Sequence, residues 1–351
     1  MEVNYIVVGA GLAGIAFCEQ LRQNKKSYLV FDDATQQSSK VAGGIFNPVV
    51  LKRFTACWKA HELLHVSEPY YQHLEKYLNV KLVHEMPISR ILNSIEEQNN
   101  WITASDHPIL SRYLSSIITP NKNVNVNAKH GFGQVKGTGR IDTEALVEEY
   151  LKKLTSDKRL HNRTFDYQEM ECTGKTICYQ DIKADNIVFA DGFGLKNNPI
   201  MDYLPLRGSK GEYLTIRSSE LELDHIVKGP VFIIPLGNDN YLVGATYNNM
   251  DKTNTITESA KEELITKLRK MILCDFKIID QVAAIRPTVK DRRPLVGCHP
   301  EHNNIWALNG LGTRGVMASP YCAAQLFQYI ENSKALDPEI DINRYENLFV
   351  R

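Results

Sequence analysis

The chain has 351 residues, 43% of them hydrophobic and 23% charged, with 41 Lys plus Arg balancing 41 Asp plus Glu. That length exceeds what one hydrophobic core usually holds, and the zero net charge gives no electrostatic reason to expect nucleic acid or an anionic membrane as partner. Seven scattered cysteines without a C-x-x-C pair argue against a disulfide framework; with no basic leader and no apolar run of bilayer length, the expected location is cytoplasmic.

The first elements carry the strongest signal. Tyr5-Ile6-Val7-Val8 reads as a strand, Gly9-Ala10-Gly11-Leu12-Ala13-Gly14 is a G-x-G-x-x-G turn, and residues 15–21 continue at helical spacing. Gly9 permits the tight turn, Gly11 admits a pyrophosphate, and Gly14 lets the helix lie close to the strand. Leu12 and Ala13 then bring the N-terminal N–H groups of the helix to the phosphates. A second strand at residues 28–31 ends in Asp32, followed by Asp33, roughly 20 residues past the glycines, where a carboxylate binds the ribose hydroxyls of an adenosine. Strand, turn, helix and acid together imply a bound dinucleotide.

Residues 54–77 read as helical, with a restart at Ser67-Glu68-Pro69 that divides the segment into two helices. Within it, His61-Glu62-Leu63-Leu64-His65 is a literal H-E-x-x-H, which on a helix sets two zinc-binding imidazoles on one face with Glu62 as base. A zinc peptidase is therefore the alternative of another class, although Glu68 replaces the Gly of the longer metal motif and no second ligand helix is evident around Glu85. No metal is expected on balance.

Further on, Asp142 caps a helix reaching Leu154, and residues 186–190 form a buried strand ending in Asp191-Gly192. Residues 211–244 are strand-rich, 257–274 helical, and 304–308 another strand entering a glycine turn, with a helix expected from Ser319. The expected fold is α/β: a Rossmann-like nucleotide-binding domain (1–85, 137–205, 285–351) interrupted by a mixed-sheet, α+β substrate domain (86–136, 206–284).

Several of these segments together resemble the D-amino acid oxidase (DAO) superfamily of FAD-dependent amine oxidases, with glycine oxidases as the nearest enzyme type. Residues 38–48, containing Ser39, Gly43 and Gly44, resemble its second flavin loop. Val188-Phe189-Ala190-Asp191-Gly192 resembles the strand that closes around the cofactor. Residues 284–297, with Arg286-Pro287 and a following Asp291, are similar to its G-x-R-P-x-x-x-D-x-x-P-x-x-G stretch. Gly310, Gly312, Thr313, Arg314, Gly315 and Val316 occupy the place of its terminal glycine loop over the flavin.

The resemblance implies FAD, held non-covalently, since Ala283-Ala284-Ile285 stands where covalent relatives carry a Cys. It implies hydride transfer from a small-molecule amine or amino acid to flavin N5, with dioxygen as electron acceptor. Arg286 takes the carboxylate-binding position, where a planar guanidinium suits the task better than Lys. Arg314 is a second candidate, and the N–H groups of residues 312–315 face the N1–C2 side of the reduced flavin. Phe232 replaces the Tyr of the family's Y-I-V-P strand and cannot donate to the carboxylate; Tyr247 is the candidate replacement.

The Gly-Leu-Gly-Thr-Arg-Gly loop resembles the oxidase half of the bifunctional tRNA wobble-uridine enzyme, giving a second alternative in which a carboxymethylaminomethyl-uridine in tRNA is the substrate. The chain opens on the nucleotide fold, so no methyltransferase half is expected. Lys52-Arg53, Lys158-Arg159, Arg163 and Arg292-Arg293 are the basic residues an RNA would meet. Oligomeric state, including a homo-oligomer, stays open.

Overall fold

The computed structural model describes residues 1–349. The fold is mixed α/β, built on two eight-stranded sheets. In the first, Leu160–His161, Tyr28–Phe31, Glu2–Val8, Ile182–Phe189 and Ile305–Asn309 run parallel in that spatial order. The hairpin Met170–Thr173/Thr176–Tyr179 pairs antiparallel to the first half of Ile182–Phe189, and Leu295–Cys298 pairs antiparallel to Ile305–Asn309.

Alternation along these strands divides the interior. Tyr5, Val7, Tyr28, Val30 and Val188 face a core shared with the helices Leu12–Gln23, Ala60–Leu78, Thr143–Ser156 and Gly315–Asn332. Ile6, Val8, Leu29, Phe31, Ile187 and Phe189 face a second core on the opposite side. A sheet covered on both faces reads as unbroken apolar runs, which is why residues 5–8 and 28–31 are legible.

The second sheet runs Lys277–Val289, Leu206–Arg217, Asn240–Gly244, Phe232–Gly237, Ile226–Lys228, Ile88–Ile91, Phe132–Val135, Leu114–Thr119. It is antiparallel except where Ile226–Lys228 meets Ile88–Ile91. The helix Glu258–Arg269, capped by the Thr257 hydroxyl, packs Leu264 and Leu268 on the face carrying Leu214, Ile216, Ile233 and Val243. The other face carries Tyr213, Phe232, Arg286 and Lys228 toward a cleft shared with the first sheet.

Three helices differ in their bounds from the sequence expectation. Ala60–Leu78 is one helix with Pro69 inside it, not two. Leu63, Ser67, Tyr71 and Leu74 are buried in one continuous stripe, and that packing outweighs the roughly 3 kcal/mol cost of an interior proline. The C-terminal helix begins at Gly315, four residues before Ser319, so Pro320 also falls inside. Pro320 has no N–H for the carbonyl of Val316 one turn back. The buried Tyr71 hydroxyl donates to that carbonyl instead, at 2.8 Å. The Glu258–Arg269 helix also ends before the expected Cys274.

Among the described residues no helix is long and apolar enough to cross a membrane, and all seven cysteines are free.

Candidate active site

The two sheets enclose a cleft of about 700 Å³. At one end the turn Gly9–Gly11 leaves the strand Glu2–Val8 with Gly9 at φ +97°; a Cβ there would lie 2.5 Å from the Ala190 carbonyl oxygen. Only glycine fits. Gly11 is the N-cap of the first helix and has no side chain to cap it, so the helix start opens into the cleft; the Ser39 hydroxyl accepts from the Leu12 N–H at 3.0 Å. The second helix start, Gly315–Asn332, also lacks a side-chain cap and faces the same cleft through residues 312–317. Two partial positive charges thus converge on one cleft.

Asp32 accepts from the Ala10 N–H at 2.6 Å and the Ala34 N–H at 2.8 Å, which fixes the carboxylate at the cleft wall. Asp33 is held by Thr35 and by the Thr164 hydroxyl, and its carboxyl lies below the usual range: these hydrogen bonds outweigh the opposing effect of burial. Asp191 is buried, accepts from Tyr167 Oη (3.1 Å) and Asn309 Nδ2 (3.1 Å), and is pushed up to about 7 by burial.

Of the residues singled out from sequence, Gly9, Gly11, Leu12, Ala13, Asp32, Asp33, Ser39, Gly43, Gly44, Ala190, Asp191, Gly192, Tyr247, Arg286, Gly312, Thr313, Arg314, Gly315 and Val316 all line this one cleft. Gly14 and Gly310 do not; they shape it from behind. A Cβ on Gly14 would sit inside the Gly9 carbonyl oxygen, and Gly310, at φ +70°, packs under Val289 and Leu295.

At the far end Arg286 projects from Lys277–Val289 over Gly211, where any Cβ would occupy the guanidinium's place. Its Nη1 donates weakly to the Thr246 and Ser209 carbonyls (3.3 and 3.5 Å), and its guanidinium lies 4.6 Å from the centre of the Tyr247 ring. Among the described residues it pairs with no carboxylate. Tyr247 itself is 67% exposed. Arg314 stands beside Cys57, whose thiol is nonetheless pushed up because burial dominates.

Two residues escaped the sequence reading. Tyr213 and Lys228 line the same cleft face as Phe232, Tyr213 by strand alternation and Lys228 across the Phe232 pair. Only cross-strand register reveals them.

The zinc alternative finds no support in geometry. His61 and His65 are exposed with ring centres 6.4 Å apart, and among the described residues no group of three or more His, Cys, Asp or Glu is placed to hold a metal. Several of the basic residues an RNA would meet are already engaged: Arg159 covers the Tyr28 ring, Arg163 the Phe31 ring, and Arg293 pairs with Glu339.

A glycine turn, two helix starts without a cap from their own N-cap side chains and an acid on one cleft are the features a dinucleotide site needs. The chain belongs to the DAO family of FAD-dependent oxidoreductases, matching it over residues 4–329. It is 22% identical to a glycine oxidase of Bacillus subtilis, over 94% of this chain and 93% of that one. A Pseudomonas putida glycine oxidase is 23% identical over 93% and 94%. The crystal structure of glycine oxidase from Geobacillus kaustophilus shares the fold with a TM-score of 0.80 at 16% identity, covering 98% of both chains.

Proposed function

We propose that this oxidoreductase breaks the C–H bond next to nitrogen in an amine that carries a carboxylate, of the glycine or D-amino acid type. The carrying observation is Arg286: a half-buried guanidinium in the cleft, held by main-chain carbonyls alone and without an acid among the described residues. A planar cation so placed is free to take a carboxylate in bidentate fashion.

The cradle fits the cofactor: Gly9 and Gly11 carry no Cβ, which at Gly9 would run into the Ala190 backbone and at Gly11 into the Ser39 hydroxyl, so the turn stays tight and the first helix start faces the cleft. The turn Gly9–Gly11 and the first helix start would hold the pyrophosphate, Asp32 the adenosine ribose, and residues 312–315 the ring edge where negative charge develops on reduction. FAD supplies the two-electron acceptor when bound. The chain's own residues orient the amine: Arg286 fixes the carboxylate, Tyr247 stacks beneath the guanidinium, and Phe232 gives the same cleft face an apolar stretch farther across the sheet. Tyr213, on the same face, carries the hydroxyl that Phe232 lacks. Among the described residues no cysteine lines the cleft, which supports non-covalent attachment. Dioxygen is the proposed electron acceptor.

The test is anaerobic addition of glycine, sarcosine, D-amino acids, carboxymethylaminomethyl-uridine and, as carboxylate-free controls, methylamine and dimethylamine to the FAD-loaded protein while the flavin spectrum is recorded. Bleaching by a carboxylate amine is expected, and Arg286→Ala should raise KM by about 10- to 100-fold while FAD stays bound. Bleaching by amines irrespective of a carboxylate, or unchanged kinetics in Arg286→Ala, refutes the assignment.

A further inference from the structure

The register of the second sheet places a line of side chains on one face. Arg286 pairs with Ser209, four residues from Tyr213 on the same strand; Tyr213 pairs with Gly244, Gly244 with Phe232, and Phe232 with Lys228. Paired residues point to the same face, as do residues four apart on a strand, so Arg286 and Lys228 stand at opposite ends of one surface. Both line the cleft.

Lys228 is partly buried, with Nζ 4.6 Å from the centre of the Phe232 ring. Its hydrogen bond, to the Pro230 carbonyl, is long at 3.4 Å. Among the described residues no carboxylate stands within ion-pair distance. Its charged neighbours are Arg90 and Lys267, and their acids are already taken: Arg90 pairs with Glu97, Lys267 with Glu263. Burial first, then these two cations, hold its ammonium down to about 8. A desolvated cation among cations is costly where it stands, and an arriving anion removes the cost.

We propose that Lys228 is a second anion site of the cleft and that the substrate is an amine with two carboxylates, one bound at Arg286 and the other at Lys228. The inference rests on the carboxylate-amine reading of Arg286. A carboxylate is favoured over a phosphate at the distal end because, with Arg90 and Lys267 already paired, one uncompensated positive charge is left there, which matches a carboxylate's single negative charge and leaves a phosphate dianion half-neutralised. Four strand spacings of about 4.8 Å, roughly 19 Å across the sheet, combine with the four-residue offset along it, roughly 13 Å, to set the two Cα atoms roughly 23 Å apart. The two long side chains reach inward over that span, which suits a flexible chain between the acidic ends rather than a compact dicarboxylate.

The experiment uses non-oxidisable probes on the FAD-loaded protein: heptanedioate against its monomethyl ester, with affinity read from the perturbed flavin spectrum and by calorimetry. The dianion is expected to bind at least about tenfold more tightly than the ester. Lys228→Met should bring that ratio near one, and Lys228→Arg should keep most of it; thermal melting of each variant checks folding. A ratio near one in the wild type, or an undiminished ratio in Lys228→Met, overturns the inference. The two readings fail separately. If carboxylate amines bleach the flavin but the dianion shows no preference, the distal site falls and the oxidation stands. If the preference holds and depends on Lys228 while no amine bleaches the flavin, the site stands and the oxidation falls.

Discussion

Gly211→Ala offers a test of Arg286 that leaves Arg286 in place. The added methyl would occupy the position of the guanidinium, which must withdraw by about 1.5 Å to reach ordinary contact distance. The displaced atoms are the far end of a flexible side chain, held by the Ser209 and Thr246 carbonyls at 3.5 and 3.3 Å, so the fold can absorb the change. The strand itself gains up to about 1 kcal/mol, because alanine gives up less backbone freedom than glycine. The substrate end is less forgiving. A bidentate charge-assisted contact contributes roughly 1.5–3 kcal/mol, and a misplacement near 1 Å costs on the order of 100-fold in positioned chemistry. Gly211→Ala is therefore expected to lower kcat/KM for a carboxylate amine by about 10- to 100-fold, chiefly through KM, with the melting temperature not lowered and FAD content unchanged. The assay is steady-state turnover together with anaerobic flavin reduction across substrate concentrations. In an Arg286→Ala background the same methyl should have little further effect, since the two changes remove one interaction. Wild-type kcat/KM in a well-folded Gly211→Ala protein, or a full additive loss in the double variant, refutes the carboxylate role of Arg286.

Two further predictions concern the frame around the cleft. Tyr71→Phe leaves the Val316 carbonyl without the donor that replaces the missing Pro320 N–H, and should destabilise the protein by about 1–3 kcal/mol in denaturant unfolding. In a Pro320→Ala background, where the backbone donor is restored, the loss should shrink; an equal loss in both backgrounds would assign the effect to packing alone. Asp191, with its carboxyl raised by burial to about 7, contributes stability that is fully present below the ordinary Asp range near 3.8 and is lost as pH rises through about 7. Asp191→Asn should therefore flatten the fall in melting temperature between pH 4 and pH 7, read by calorimetry as about the slope of one proton. A slope identical to wild type would show that the carboxyl titrates normally.

The parts of the site legible in the sequence are those that a few consecutive residues complete. The Gly9–Gly14 turn needs a strand before it, a helix after it and Asp32 beyond, all within one short segment, and each element forms from its own residues. Arg286-Pro287 and the 310–316 loop carry the family pattern in the same local way. The missed features all depend on partners distant in sequence. Pro69 and Pro320 look like helix starts because a proline is favoured in the first turn. Their helices continue because Tyr71 and the buried stripe of Ala60–Leu78 lie against the C-terminal helix, a contact spanning some 245 residues. Likewise the loss of a hydroxyl at Phe232 is readable, whereas Tyr213 as a nearby hydroxyl is not. It is reached by crossing two strands through Gly244.

That crossing shows how the cleft face is carved. Arg286 lies where Gly211 has no side chain, and the Tyr213 ring lies over Gly244, so each large head occupies space vacated by a glycine next to it or across a strand. Neither glycine has a positive φ, and neither belongs to the nucleotide turn. Their smallness serves the side chain above them rather than the backbone. A motif marks residues that contact a ligand directly, but the aim of those residues is set by the empty positions beneath them. Under the proposed role of Arg286, selectivity in this cleft is a property of sheet register. With Gly211 and Gly244 open, Arg286 and Tyr213 lie down along the face toward Phe232 and Lys228, and the binding surface runs across the strands. Filling either position tilts one head away from that line while leaving every motif residue unchanged.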